Sequence, residues 1–159
     1  TAYTQEMTKY ESSKLYMSED GVETSIICVK YSSKTKKVYD VVYTVLLPSG
    51  GTTVTEYNNM LERLTAKYGK SNDLSRMKHY KKASQVMDKS MMSGAYWVDK
   101  HNKLCLEILA YSDISTITDN AGWAGKIMNL FMSDNGAIAV HYLNPEVDNE
   151  IEKEKIDNL

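Results

Sequence analysis

Gly69, Lys70 and Ser71 carry the residue types that end a phosphate-binding loop. Such a loop needs another glycine five residues before the first of these, where this chain has Leu64, and it opens a helix rather than closing one. The triplet therefore reads as a helix end. Three histidines, His79, His101 and His141, are the residues able to join carboxylates around a metal. No two of them are spaced to share a helix face, and no cysteine pair is close in sequence, so neither a metal nor another cofactor is expected. His79 reads as part of a solvated basic stretch, His101 as a hairpin-loop residue and His141 as a strand-face residue. Cys105, between Leu104 and Leu106, is placed for burial, where a thiol has a raised pKa and little nucleophilicity. Asp99 and Glu107 form a carboxylate pair on one hairpin, read as solvated or salt-bridged. Acid and base groups that converge only in the fold remain open, and with them a hydrolase-like alternative.

Binding chemistry has two candidates. Arg76, Lys78, Lys81 and Lys82, interleaved with His79 and Tyr80, are the densest basic cluster and would suit an anion. Their plainer reading is a solvated face. It has a counterpart in the acidic end of the chain, Glu146, Asp148, Glu150, Glu152 and Glu154, although exposed pairs contribute only ~0–1 kcal/mol each. The second candidate comes from composition, since twelve tyrosines stand against one phenylalanine. Tyrosine has an apolar body and a wet tip, which suits interfaces and sugar platforms. Tyr39 and Tyr43 share a strand face, and with Trp97 and Trp123 they define a candidate ligand-binding surface on the side of the sheet away from the helix. A protein or a glycan would be its partner. Tyrosines that are merely half-buried on a one-sided sheet are the plainer reading here as well.

These residues are positioned by an alternation of strands around one helix. Thr53 and Glu56 have the spacing of a capping box, and Val54, Tyr57, Leu61, Leu64 and Tyr68 then recur at spacings of three and four up to Gly69. Before the helix, the chain alternates with a period of two. A turn at Asp20 and Gly21 joins a short strand near Lys14 to Met17 with a longer one from Val22 to Tyr31, and Val38 to Leu47 is the strongest strand pattern. After it, Ala95 to Asp99 and Leu104 to Tyr111 form a hairpin around Lys100 to Lys103. Asn135 and Gly136 predict a second hairpin joining Lys126–Met132 to Ala137–Tyr142. Residues 1–11 read as a frayed lead-in. In residues 71–93, Asp73 could cap a weak second helix carrying Leu74, Met77, Met87 and Met91. Asn144 and Pro145 start a charged, peripheral helix over 144–159 that is expected to fray, with Val147 and Ile151 as its apolar anchors.

The fold class that follows is a single α+β domain over 1–159, an antiparallel sheet of about six or seven strands with one main helix on one face. The net charge of −2 in 159 residues supplies no global field to attract nucleic acid, and no apolar run is long enough to span a bilayer. Thr1 in place of methionine suggests an excised leader or a trimmed start. Cys28 and Cys105 read as reduced, packed residues, with a single disulfide as the alternative.

A helix ending in Lys67, Tyr68, Gly69 and Lys70, a tryptophan-bearing strand at Trp97, a strand like Leu104 to Tyr111 and a closing strand with Tyr142 resemble small exported bacterial proteins of unknown function. The resemblance covers roughly residues 53–143. It implies a periplasmic or cell-envelope setting and an α+β fold, and it implies no activity. Taken with the tyrosine excess, the expectation is a non-enzymatic exported binding module.

Overall fold

The computed structural model describes residues 2–6, 9–19, 24–47, 50–73, 91–111 and 136–159. They build one sheet from β1 (Ala2–Glu6), β2 (Glu11–Glu19), β3 (Thr24–Ser32), β4 (Val38–Leu47), β5 (Asn72–Asp73), β6 (Met91–Val98), β7 (Leu104–Tyr111) and β8 (Gly136–Leu143). Among the described residues two helices accompany it, α1 (Gly50–Tyr68) and α2 (Pro145–Asp157). The strand order is β1-β2-β3-β4-β8-β7-β6-β5, and each neighbouring pair is antiparallel. The expected α+β class holds, with seven strands of ordinary length and a two-residue eighth at one edge.

The connectivity follows from α1. Strands β1 to β4 are successive neighbours. The chain then enters α1, whose 19 residues extend about 28 Å at ~1.5 Å each. That exceeds the roughly 19 Å from β4 to β5, four strand spacings of ~4.8 Å away. From that far edge β5 to β8 return inward, until β8 closes against β4 in a register running from Asp40↔Leu143 to Leu47↔Gly136. On the other side β8 pairs with β7, from Leu106↔Tyr142 to Tyr111↔Ala137. Both edges of β8 are thus taken by strands distant in sequence. The hairpin expected at Asn135 and Gly136 is not how β8 is paired, and its other half, Lys126–Met132, lies outside the described residues. A local turn signal was outweighed by two long ladders over a shared apolar face.

Alternation along the central strands divides them between two cores. On the face under α1, Val45, Leu47, Ala95, Trp97, Leu106, Ile108, Ile138 and Val140 pack with Tyr57 and Leu64 of the helix. On the other face, Tyr96, Leu109, Tyr111 and Ala139 form a second cluster. The helix begins a turn earlier than the capping box predicts, so Thr53 lies inside it and is 0 % exposed. Its hydroxyl fills the space beside Gly136, where a Cβ would run into Thr53 Oγ1 and lie 3.1 Å from the Tyr111 carbonyl oxygen. The buried stripe is accordingly Thr53, Tyr57, Leu64 and the partly buried Met60 and Leu61, while Val54, about 100° around from Thr53, is exposed, as is Tyr68. Gly69 ends the helix as expected, with φ 87° and its amide donating to the Thr65 carbonyl at 2.9 Å. The Trp97 indole N–H donates to the Gly69 carbonyl at 2.8 Å, which ties the end of the helix to β6.

Two further expectations are corrected. Residues 2–6 are not a frayed lead-in but an edge strand, paired from Ala2↔Tyr16 to Glu6↔Ser12. Its ladder of backbone bonds leaves no apolar period to read. Met91 belongs to β6 rather than to a second helix; Asp73 lies in β5 opposite Ala95, and residues 74–90, where that helix was expected, are outside the described set. The C-terminal helix starts as predicted. Asn144 Oδ1 accepts from the Val147 amide at 3.5 Å, Pro145 occupies the first turn, and Val147 and Ile151 are buried against Tyr39. Lys155 reaches Glu11 at 3.4 Å and Lys37 reaches Glu150 at 3.4 Å, so the helix is docked rather than frayed.

Candidate functional site

The three described aromatic candidates, Tyr39, Tyr43 and Trp97, do not assemble on the side away from α1. Tyr31 pairs with Val38 and Lys30 with Asp40, which leaves Tyr39 as the extra residue of a β-bulge. It is thereby taken out of the Tyr43 row and packs with Val147, Ile151 and Tyr10. Burial, followed by the charge of Glu11 and a hydrogen bond with it, raises the Tyr39 phenol far above its ordinary pKa. Trp97 is buried, and both it and the half-buried Tyr43 lie on the helix side of the sheet. Trp123 falls outside the described residues. So do the basic cluster Arg76, Lys78, Lys81 and Lys82 and its neighbour His79.

What the helix leaves uncovered is more informative. It packs against β8, β7 and the C-terminal part of β4, so among the described residues the β2–β3 side of the same face is left uncovered by the helix. Register places two rows there. One runs Tyr16, Ile27, Tyr43, Val140; the next runs Lys14, Val29, Val41, Tyr142. Tyr16 is 41 % exposed, Ile27 39 % and Tyr142 41 %, with Tyr43, Val29 and Val41 half-buried between them. Where this surface meets the helix, a cleft of about 320 Å³ opens between Met60 and Arg63 of α1 and Tyr43, Ile138, Val140 and Tyr142 of the sheet. Tyr43, one of the residues singled out from sequence, sits where the open face enters the cleft.

The opposite face holds a group of charges of which the sequence singled out only Glu107 and His141. The cross-strand row Cys28, Val42, His141, Glu107 lies beside the pair Lys30 and Asp40. His141 Nδ1 is 3.4 Å from Asp40 Oδ1 and 3.9 Å from Glu107 Oε1, and Lys30 Nζ is 3.6 Å from Asp40 Oδ2. The Asp40 and Glu107 side chains are only 7 % and 5 % exposed. Burial acts to lower the His141 pKa, but the hydrogen bond and charge of Asp40 and the charge of Glu107 outweigh it and hold the imidazole above its ordinary value. This is the kind of acid–base convergence that a hydrolase would need. When protonated, the imidazole places a positive charge beside both buried carboxyl groups and joins β4, β8 and β7 electrostatically. Glu107 is therefore not the solvated partner of Asp99. Asp99 instead holds the β6–β7 turn, its Oδ1 accepting from the His101 amide at 2.8 Å and the Lys103 amide at 3.0 Å. Each member carried a signal singly, because Asp40, Glu107 and His141 occupy inward positions of largely apolar strand patterns, but nothing in the sequence joined them.

Cys28 and Cys105 are free, as read from sequence. Burial raises both thiols, which suits packed rather than reactive sulfur. His101 lies at the exposed hairpin tip. Among the described residues no group of His, Cys, Asp and Glu has the geometry to hold a metal ion, and no described helix is long and apolar enough to cross a membrane. No family model, curated protein or solved structure matches the chain.

Proposed function

We propose that this protein is a non-enzymatic binding module that docks a protein partner on the open part of its α1 face. One observation carries the reading. Of the eight large hydrophobic side chains exposed among the described residues, Tyr16, Ile27, Val38 and Tyr142 lie together on this face of β2, β3, β4 and β8. Scattered exposed apolar residues are ordinary, whereas a contiguous patch marks a contact surface. Its composition favours a protein over a glycan. Tyrosine at the centre with Met60 and Arg63 at the helix wall matches the residue types enriched in protein interfaces. The aliphatic Ile27, Val29, Val38 and Val41 offer sugar hydroxyls no polar partner. An extracytoplasmic setting is part of the proposal and rests on the resemblance of residues 53–143 to exported proteins.

The test is a paired Tyr16→Ser and Ile27→Ser variant, checked for unchanged secondary structure and compared with the wild type for partner association in its native extract. Loss of association supports protein docking on this face. Full retention overturns it, and retained binding to polysaccharide alone would reassign the face to a glycan.

A further inference from the structure

Charge at the margin of the open face narrows what covers it. Lys14 lies in the same row as Val29, Val41 and Tyr142 and is exposed. Lys36 Nζ stands 5.9 Å from the centroid of the Tyr31 ring, and Tyr31 follows Ile27 and Val29 on this face. Arg63 lines the cleft on the opposite margin. Among the described residues, none of these three cations has a carboxylate at ion-pair distance, although Lys30, Lys37 and Lys155 all do. Of these cations only Arg63 lines the cleft itself, together with one carboxylate, Glu56. This positive margin stands on a chain whose net charge is −2, so it is a local arrangement and not a reflection of overall composition.

We infer that the occupant of the face is an acidic protein segment, whose apolar side chains cover Tyr16, Ile27, Tyr43 and Tyr142 while its carboxylates meet Lys14, Lys36 and Arg63. The inference rests on the docking reading above and adds the sign of the partner's charge. Cations around an apolar centre act chiefly on encounter rate and on discrimination among partners, so their signature is dependence on salt and on charge reversal. Exposed charges are screened over about 8–10 Å at ordinary ionic strength, and a margin of this kind responds within that range.

Two capped decapeptides serve as probes, one alternating valine with glutamate and the other alternating valine with lysine. Each is titrated into isotope-labelled protein and followed by NMR. The acidic peptide is expected to shift the amides of Tyr16, Ile27, Tyr43 and Tyr142, to bind about tenfold more tightly than the basic one, and to weaken roughly 3–10-fold between low and high salt. The triple variant K14E/K36E/R63E should invert the preference, and R63E alone should reduce it in case the triple variant does not fold. Equal affinity for both peptides, or a preference unmoved by R63E, overturns the acidic partner and leaves the docking face standing. Shifts from neither peptide overturn the docking reading too. A dimer of the protein alone that disappears in the Ile27→Ser variant would make a second copy the occupant, and would overturn a foreign acidic segment.

Discussion

Replacing His141 with glutamine keeps a polar side chain of similar reach and removes the group that, among the described residues, places a positive charge near both Asp40 and Glu107, at 3.4 and 3.9 Å. Lys30 remains, 3.6 Å from Asp40 but 31 % exposed, and it compensates one carboxylate from the rim rather than both from between. Removing one partner of a buried ionic group costs about 3–5 kcal/mol. His141 retains some solvent contact, which places the expected loss near ~3 kcal/mol, a large part of the 5–15 kcal/mol typical of a domain. At roughly 2–4 °C per kcal/mol for a chain of this size, the melting temperature should fall by about 6–12 °C. The pH dependence separates a charge effect from lost packing. The folded imidazole titrates above its unfolded value of 6.5, so the stability it contributes is fully present below that pH and is lost as pH rises through the folded pKa. Urea unfolding of both proteins between pH 6 and 9 should show the gap between wild type and H141Q narrowing as pH rises. A gap under ~0.5 kcal/mol at pH 6, or one that stays constant across the range, would refute a charged lock between the carboxylates.

Gly136→Ala should destabilise by about 1–3 kcal/mol, because the new methyl meets Thr53 Oγ1; adding Thr53→Ala should recover part of this in chemical denaturation, and full tolerance of the single change would contradict the close approach of α1 to β8. Trp97→Phe removes the indole N–H bond to the Gly69 carbonyl and should cost on the order of 1–2 kcal/mol, with faster amide exchange in the last turn of α1. Ile151→Ala should cost roughly 2–4 kcal/mol, since Ile151 is buried against Tyr39 and Val147, and a loss confined to α2 would show as a separate early transition by circular dichroism. The Lys103 amide foremost, with the His101 amide, holds the Asp99 carboxyl below its ordinary pKa. That stabilisation is present above the unfolded pKa and lost as pH falls through the folded one, so amides 99–103 should exchange faster under acid, and Asp99→Ala should produce the same change at neutral pH.

The sequence announced what depends on neighbours along the chain. Val38–Leu47 was legible to the residue because alternation and β-branching coincide there, and the β6–β7 hairpin, the Gly69 terminus and the Asn144-Pro145 helix start all follow from short-range backbone chemistry. Pairings set by distance were not legible. The Asn135-Gly136 signal pointed to a local hairpin, yet β8 lies between β4 and β7, one of which is nearly a hundred positions away. Thr53 looked like a cap because capping residues and small buried polar residues are the same types, and only the missing Cβ of Gly136 explains its burial. The proposed docking surface was half legible. Tyr43 was singled out from sequence and lies on it, while the bulge at Tyr39 and the side of the sheet that α1 takes give it Tyr16, Ile27 and Tyr142 as neighbours instead of Tyr39. The Asp40–Glu107–His141 group was invisible as a group, since its members come from three strands and converge only in the assembled sheet.

The central claim is that the part of the α1 face left uncovered by the two described helices is where this protein meets its partner. A photo-cross-linking side chain placed at Tyr142, with the same group at Lys153 on the exposed side of α2 as the comparison, tests it in the native setting. The account predicts a discrete protein adduct from position 142 that Ile27→Ser abolishes, and none from position 153. Equal adducts from both positions, or an adduct at 142 that persists with serine at position 27, would contradict it.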